Sequence, residues 1–278
     1  MSWVAKYMVK HRPSLGQGAG VGDGMGRVLL ATAGMALLML VWGVGGHFIF
    51  SRPQFAQFSG FLPGPTLQAL SILLFDQEFW SSVLASLRRI SVGIGTAFIL
   101  GLPMGLLIGF FRPLRTLTYT PIQFVRMISP LSWMPIALLI FTTFEATIYF
   151  LITMATVWPI ILNSSLGVSR VNPQWIRMAR NQGANDPQVL LRIVLPASIP
   201  YILTSLRLAL GVAWIVLVPV EFLGISSGLG YIINDARDTM EYDRLMAIVM
   251  AIGVIGFCLD GSIQLVQKAF RWNWVNSG

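Results

Sequence analysis

Charged residues are scarce in this chain of 278 residues: Asp, Glu, Lys and Arg make up 11%, whereas hydrophobic residues make up 55%. A soluble domain usually carries about a quarter charged residues, so a water-soluble globular protein is excluded. Only one cysteine is present, Cys258, which excludes a disulfide framework and a thiolate metal site. The two histidines, His11 and His47, cannot build a metal site alone.

Catalytic sequence motifs are also missing. The chain contains neither a GxxxxGK[ST] phosphate loop nor an HExxH zinc motif. The sequence therefore predicts that the chain is not an enzyme, hydrolyses no ATP and holds no cofactor. The net charge of +8 would suit nucleic acid, but the distribution of cations among the predicted loops explains it better. We therefore expect no nucleic-acid partner.

Long apolar segments are what the sequence has in abundance. Each is near the ~20 residues that cross roughly 30 Å of hydrocarbon, so we predict an all-α polytopic protein of the lipid bilayer with six transmembrane helices. The predicted spans are 28–50, 90–111, 119–141, 146–168, 201–222 and 244–269. The remaining predicted parts are a tail at 1–27, an external amphipathic segment at 51–89, an acidic loop at 224–243 and a C-terminal tail at 273–278, with 90–272 as the core.

The loops differ in charge on the two sides of the membrane. Six spans put both termini on one side, together with twelve Lys and Arg residues, and leave five on the other. The twelve are Lys6, Lys10, Arg12, Arg27, Arg112, Arg115, Arg170, Arg177, Arg180, Arg192, Lys268 and Arg271; the five are Arg52, Arg88, Arg89, Arg237 and Arg244. Cytoplasmic loops carry the excess of cations, so both termini are predicted to be cytoplasmic.

Two spans have unusual interiors. In the second, Gly101, Gly105 and Gly109 recur every four residues, a pattern that lets another helix approach closely. The third is interrupted by the sequence SPLSWMP, residues 129–135. A proline-interrupted helix exposes backbone groups, so this segment could line a mid-membrane cavity, although a packing kink explains it equally well. The cavity candidates in it are Ser129, Ser132 and Trp133.

Charged residues also occur within the predicted spans, where each is a candidate for function. Arg126 and Arg207 lie near the cytoplasmic ends of their predicted spans, so snorkelling or a structural ion pair competes with substrate contact. Glu221 lies toward the external end of the fifth span and is a candidate for an outer gate or for an ion pair. For Asp260, as for the two arginines, a structural ion pair competes with a functional contact, and the ion pair is favoured.

The longest polar interval in the second half of the chain is residues 169–200. An N-cap residue followed by proline predicts the start of two short helices, at Asn172-Pro173 and at Asp186-Pro187. Gly183 is predicted to end the first helix and Leu195-Pro196 the second. Composition and spacing alone are compatible with a mere interfacial loop.

The residues ARNQGANDPQVLLRIVLPASIP, 179–200, resemble the EAA loop of ABC-importer permeases. That pattern is Glu-Ala-Ala, three residues, Gly-Ala, about nine residues, then an apolar residue, any residue, Leu and Pro. Arg177 stands where the pattern has Glu, and Met178 where it has Ala. Further blocks between residues 60 and 272, among them LPGPTLQAL and SLRLALGVAW, resemble the nitrate/sulfonate/taurine branch in the same order. The matching loop positions are Ala179, Gly183, Ala184, Ile193, Leu195 and Pro196.

The resemblance implies a type I ABC-importer fold in the inner membrane of a cell. Two copies would form a homodimer around the translocation path, two cytoplasmic ATPase subunits would bind ATP and Mg, and an external solute-binding protein would deliver the solute. The cargo would be a small anion such as a sulfonate, taurine or nitrate, with a pyrimidine precursor or another small solute as alternatives. The residues that would couple to the ATPase are Arg177, Ala179, Arg180, Gly183, Ala184, Leu195 and Pro196.

Two other classes of protein remain as alternatives. An ion-coupled secondary transporter would work without any ATPase, but the sequence shows no internal repeat of the kind that many such folds carry. An intramembrane enzyme would need a catalytic pair at mid-membrane depth, and the sequence contains no recognisable one.

Overall fold

A computed structural model describes residues 21–224 and 226–276 of the chain. The chain divides into two units, residues 1–63 and residues 64–278. Within the described ranges every regular element is a helix, as the all-α prediction requires.

The first unit contains helix α1, Val21–Phe50, and the 3-10 helix Pro53–Phe61. The Trp42 indole donates a hydrogen bond to the Phe61 carbonyl oxygen over 3.0 Å. The helix begins at Val21 rather than at residue 28, so the predicted tail 1–27 is helical from residue 21, and its residues 1–20 lie outside the described ranges. No proline occurs between Val21 and Phe50, so the backbone hydrogen bonds of this helix can form without interruption.

From residue 63 onward the chain forms helices joined by short turns. They are α2 Pro63–Leu73, α3 Gln77–Phe110, α4 Arg112–Val125, a 3-10 turn Pro130–Trp133, α5 Met134–Ile140, α6 Phe144–Ser169, α7 Pro173–Asn181, α8 Asp186–Val189, a π turn Leu190–Val194, α9 Leu195–Gly224, α10 Leu229–Asp238 and α11 Tyr242–Asn276.

Five helical segments in the described part of the chain are long and apolar enough to cross a membrane. They are Leu29–Phe50, Gln77–Phe110, Phe144–Ser169, Asp186–Gly224 and Tyr242–Ala269. The pair Arg112–Val125 and Pro130–Ile140 passes the same criteria together but is bent by 83°. The predicted six spans are obtained when this bent pair counts as one.

The second span starts earlier than predicted. Helix α3 begins at Gln77, where the Asp76 carboxylate accepts from the Glu78 N–H over 3.0 Å, and runs without interruption to Phe110. The predicted external segment 51–89 therefore ends before residue 77. The sequence misleads because Arg89 makes this stretch look too polar to span, whereas its charge is buried against carboxylates from distant helices.

The fifth span also starts earlier than predicted. Leu195-Pro196 does not end a helix, because the π turn Leu190–Val194 connects α8 to α9. Proline lacks an N–H, and a π turn changes the hydrogen-bond register just before it, so the backbone passes Pro196 without a break. The resulting segment Asp186–Gly224 has 39 residues.

Three further boundaries differ from the prediction. Helix α4 begins at Arg112, so the third span starts before residue 119 and no loop precedes it. The predicted loop 224–243 contains helix α10. The last helix, α11, continues to Asn276 and takes in much of the predicted tail 273–278. In each case the helix continues because the polar residues at its end remain compatible with a helical backbone.

The centre of the second unit is formed by α3, α6 and α9. Ile148 and Leu151 on α6 and Leu217 on α9 are fully buried there, and Ile90 on α3 completes the same cluster. A second cluster joins α10 and α11 to the start of α3, with Phe79, Leu229 and Ile248 among its buried members.

The glycine row on α3 is a packing face, as predicted. A Cβ atom at Gly105 would lie 2.7 Å from the Ile161 carbonyl oxygen, and one at Gly109 would lie 2.6 Å from the Val168 Cβ. The backbones of α3 and α6 can approach this closely only because side chains are absent at these positions.

We expect Gly105→Ala to destabilise the protein by about 1–3 kcal/mol, because the added methyl group forces α3 away from the α6 backbone. Gly95→Ala on the same helix is the matched control, since a Cβ there meets no atom within 4 Å. The thermal midpoint of the detergent-purified protein should fall for the first variant only. Equal midpoints for the two variants would contradict close α3–α6 packing.

Candidate functional site

The turn at Gly183 joins α7 to α8 through a Schellman arrangement. The Ala184 N–H donates to the Ala179 carbonyl and the Gly183 N–H to the Arg180 carbonyl, each over 3.0 Å. Gly183 has a φ of +84°, a left-handed conformation that glycine adopts without strain. The predicted helix stop is therefore found at this residue, and the backbone leaves α7 in a fixed direction.

The helix that follows the turn begins one residue earlier than predicted. Asn185 rather than Asp186 is the N-cap, and its side chain accepts from the Gln188 N–H while the Gln188 side chain accepts from the Asn185 N–H, both over 3.0 Å. This reciprocal capping box leaves Asp186 free to pair with Arg180 at 2.8 Å. At α7, the Asn172 side chain caps the helix as predicted, accepting from the Gln174 N–H over 2.9 Å.

The loop is anchored to the ends of the long helices. A buried cluster brings together Leu106 of α3, Val168 of α6, and Val189 and Val194 from the second half of the loop. Ala179, Ala184 and Leu195 pack against it, as does Ile176. Apolar contacts at this density hold the loop rigidly against the transmembrane helices.

The other face of the loop is exposed. Trp175, Met178 and Leu191 are 47%, 61% and 60% exposed, and on a polar segment such large apolar side chains indicate a contact surface. Beside them a groove of about 390 Å³ lies between α7 and the start of α9. Its lining residues are Trp175, Met178, Ala179, Gln182, Arg192, Ile193, Pro196 and Ala197.

Cations flank this apolar patch. Arg177 is exposed, and no carboxylate within the described ranges pairs with it. Arg180 is exposed too, in its ion pair with Asp186. Of the predicted coupling residues, these two arginines, together with Gly183, face outward, while Ala179, Ala184 and Leu195 face the anchor and Pro196 lines the groove.

A second cavity of about 390 Å³ lies where the third span bends. Arg126, at the end of α4, and Trp133, in the 3-10 turn, contribute to it as the sequence suggested. Ser129 and Ser132 are exposed on the same segment but are not among its lining residues. The full lining is Arg126, Ile128, Pro130, Trp133, Met154, Ala155, Trp158, Pro159, Leu162, Asn163, Leu208 and Val212.

Glu221 belongs to a buried ion-pair network at the far end of α9. Arg89, which is 2% exposed, pairs with the fully buried Glu221 at 2.6 Å and with the half-exposed Glu145 at 2.6 Å. The same guanidinium donates to the carbonyl and hydroxyl oxygens of Ser227 over 2.9 and 2.8 Å. All of its N–H directions are used, so the positive charge is fully compensated.

The network also holds the start of α10. The Ser86 hydroxyl donates to Glu221 over 2.8 Å and accepts from the Leu229 N–H over 2.9 Å, while the Gly230 N–H donates to Glu221 over 3.0 Å. Gly228, with a φ of +106°, leaves no room for a side chain, because a Cβ atom there would lie 2.5 Å from Arg89 Nη1. Four helices, α3, α6, α9 and α10, therefore meet at one guanidinium.

Arg207 is also paired. Its guanidinium donates to both Asp260 oxygens over 2.6 and 2.9 Å, and Gln264 donates to the same carboxylate over 2.7 Å. This bidentate contact joins α9 to α11. The ion-pair interpretation therefore applies to Arg207, Asp260 and Glu221. It argues against the prediction that Arg207 and Glu221 line a solute path.

Residues 97–272 match the protein family described as the binding-protein-dependent transport system inner membrane component. The chain belongs to this family of ABC-importer permeases. It is a subunit of a transporter in a membrane, and the resemblance of its residues 179–200 to the family's loop agrees with this assignment.

Curated relatives cover most of the permease. The bicarbonate transport system permease protein CmpB of Synechococcus elongatus is 32% identical over 257 residues, covering 87% of this chain and 88% of the relative. The taurine transport system permease protein TauC of Escherichia coli K12 is 30% identical over 250 residues, with the same coverage of 87% and 88%. Both fall within the nitrate/sulfonate/taurine branch that the sequence resembles.

A solved structure shares the fold of the permease. A chain of the inward-facing MetNI methionine ABC transporter superposes with a TM-score of 0.57 at 17% identity and covers 68% of this chain and 94% of its own length. At this identity the likeness establishes the type I importer fold alone.

The role of Arg89 is not recognisable in the sequence. The sequence predicts an external loop cation at this position, because Arg89 follows Arg88 at the end of a stretch that is too polar to cross a membrane. Its partners lie more than fifty positions away in the chain, so no local pattern links them. An inward-facing arginine among the apolar residues Val83, Ile90 and Ala97 of one helix face is the signal that could have found it.

We expect Arg89→Met to destabilise the permease by about 3–5 kcal/mol, because Glu221 would remain buried without a counter-charge. Arg88→Met is the matched control, since its exposed side chain makes no hydrogen bond or ion pair within the network and acts on Glu145 only through its charge at a distance. The double variant Arg89→Met/Glu221→Met should recover part of the loss. Thermal midpoints, and proteolysis of the segment between α9 and α10, measure the effect.

Comparing the Arg88 and Arg89 variants separates the loss of the buried ion-pair network from the loss of one exposed charge. Equal stability of the two single variants, or a double variant that is worse than Arg89→Met, would contradict the role of the network in holding α10.

Proposed function

We propose that this permease imports a small anion as half of a homodimer, with two cytoplasmic ATPase subunits and an external solute-binding protein. ATP and Mg would bind to the ATPases and not to this chain. The observation that carries the proposal is the loop at residues 169–200, which is rigidly anchored on one face and exposes large apolar side chains and an unpaired cation on the other.

The orientation follows from the distribution of charge. Arg89 is buried in an ion-pair network, so four of the five cations assigned to the external side remain in the comparison, against twelve on the other side. The positive-inside rule then supports cytoplasmic termini and a cytoplasmic loop at 169–200. An external position for α10 makes it available to a solute-binding protein.

The exposed face of the loop has the chemistry of a helix that docks in a groove. Trp175 and Met178 lie on one side of α7, and aromatic and methionine side chains are enriched at the centres of protein interfaces. When two ATPases close around ATP, a rigidly anchored loop would move the helices that it contacts. Leu106 and Val168 would carry that movement into α3 and α6, and the unbroken connection through the π turn would carry it into α9.

Arg177 would set the choice of ATPase. Arginine in place of the usual glutamate reverses one charge at the contact, so the matching ATPase should present a carboxylate there. An ATPase from a related system, built for glutamate, would meet a like or unpaired charge and should pair poorly.

The class of cargo is proposed from the solutes for which the relatives are named. Relatives with about a third of their residues in common are named for bicarbonate and taurine. Both solutes are small and carry an acidic group. Nitrate and other sulfonates are also small solutes with a negatively charged group of oxygen atoms, and we propose this class as a whole.

We expect Gly183→Val to abolish coupling while the six spans still insert, because a β-branched residue does not adopt the left-handed turn conformation. Gly183→Asn is the matched control, since asparagine tolerates this conformation. A Cβ at Gly183 meets no atom within 4 Å, so the two variants differ in backbone strain and not in packing. Co-purification of the ATPase with the tagged permease, and solute-stimulated ATP hydrolysis, are the measurements.

The proposal fails if the tagged wild-type permease brings down no nucleotide-binding subunit while Gly183→Val transports normally. Loss of the folded membrane protein in both Gly183 variants would indicate that the turn has a purely structural role.

A further inference from the structure

Of the arginines Arg89, Arg126 and Arg207 in the second unit, two have carboxylate partners. Arg89 pairs with Glu145 and Glu221, and Arg207 pairs with Asp260. Arg126 differs: within the described ranges, no carboxylate lies within ion-pair distance and no group accepts from its guanidinium. An unpaired charge inside a membrane is costly. We therefore expect the Arg126 guanidinium to contact a group that the isolated chain does not contain.

Arg126 lies at the bend of the third span. Helix α4 has 14 residues, which rise about 21 Å along the helix axis, and Arg126 follows directly after its last residue. The length of α4 therefore separates Arg126 from Arg112 and Arg115 at the start of the helix. The second half of the span leaves this bend at 83°, so Arg126 lies where the helical backbone of the span is interrupted.

The surroundings of Arg126 form a small chamber and not a flat lipid-facing surface. The cavity of about 390 Å³ is lined by Trp133 and Trp158, by Asn163, and by apolar residues from α6 and α9. Asn163 uses one amide hydrogen to donate to the Pro159 carbonyl over 2.9 Å, so its second amide hydrogen is available. Arg126 is the one charged residue in the lining.

We infer that this cavity is a subsite for a small anion on the solute path, with Arg126 as its binding cation. The inference rests on the proposed import of a small anion. A planar guanidinium forms two parallel hydrogen bonds to carboxylate, sulfonate or nitrate oxygens. The Asn163 amide adds a neutral donor, and the tryptophan rings form walls for a short organic group such as the carbon chain of taurine.

The cavity accounts for both binding and release. One cation without a second charged partner gives modest affinity, and a transport site must bind weakly enough to let its solute leave. Arg207 and Glu221 are not part of this subsite, because each already has a buried or bidentate partner.

The first test measures uptake of radiolabelled bicarbonate, taurine and nitrate by the complete transporter in proteoliposomes, with its binding protein. We expect uptake of the transported anion to fall at least tenfold in Arg126→Gln. The loss should be smaller in Arg126→Lys, which keeps the positive charge but cannot form two parallel hydrogen bonds to the anion. Arg115→Gln, a charge removed from the same helix outside the cavity, should transport normally. Co-purification of the ATPase should be the same in all variants.

The second test measures the charge of the cavity without requiring transport. In a Cys258→Ser background, Leu208→Cys places a thiol in the lining at a site that is 48% exposed. Two methanethiosulfonate reagents of similar size, one carrying a sulfonate and one a trimethylammonium group, modify it at rates set by the local potential. We expect Arg126→Gln to lower the ratio of anionic to cationic rate about tenfold, and Arg115→Gln to leave it unchanged.

The two tests separate the subsite from the importer function. Unchanged uptake in Arg126→Gln, transport of an uncharged solute only, or a rate ratio that does not respond to Arg126→Gln would each overturn the subsite. The last result would mean that a carboxylate of another chain neutralises Arg126. Failure of the wild-type permease to bind an ATPase would instead overturn the proposed function, while the rate ratio would still report on the cavity.

Discussion

A charge in the membrane interior needs a counter-charge or a polar ligand, and this requirement organises the core of the permease. Arg89 meets it by joining carboxylates from α6 and α9 and the backbone before α10, so four helices are fixed relative to one another at one point. Removing Arg89 alone would leave the carboxylate of Glu221 buried and uncompensated. The network is therefore stable mainly because breaking it would leave a buried charge without a partner. The intrinsic stabilisation from a buried ion pair matters less.

Helix α9 connects the loop at 169–200 to the Arg89 network. Its first residues lie beside the loop at 169–200 and continue from it through a π turn, and Glu221 near its other end belongs to the Arg89 network. Close contact of α3 with α6 along the glycine row completes a rigid body. A force applied to the loop by an ATPase would therefore reach the opposite membrane face through packed helices without a flexible connection. In that arrangement the bent third span, with its cavity at Arg126, makes no ion pair with its neighbours within the described ranges.

Several features could be predicted from the sequence because they depend on local chemistry. The helical caps at Asn172, the stop at Gly183 and the glycine row follow from residues within one or two turns of each other, and the apolar segments follow from composition. The family loop was recognisable for the same reason, despite Arg177. Span boundaries were predicted less well, because a single charge such as Arg89 lowers the apparent hydrophobicity of a segment whose charge is in fact neutralised.

The sequence by itself determined that the chain is helical, lies in a membrane, and belongs among the ABC-importer permeases, since these depend on composition and on contiguous motifs. Only the tertiary structure decided which of its charges are structural. Arg89 and Arg207 have carboxylate partners from distant helices, whereas Arg126 has none within the described ranges. Partnership between residues more than fifty positions apart is a property of packing, which one sequence does not encode in any local pattern.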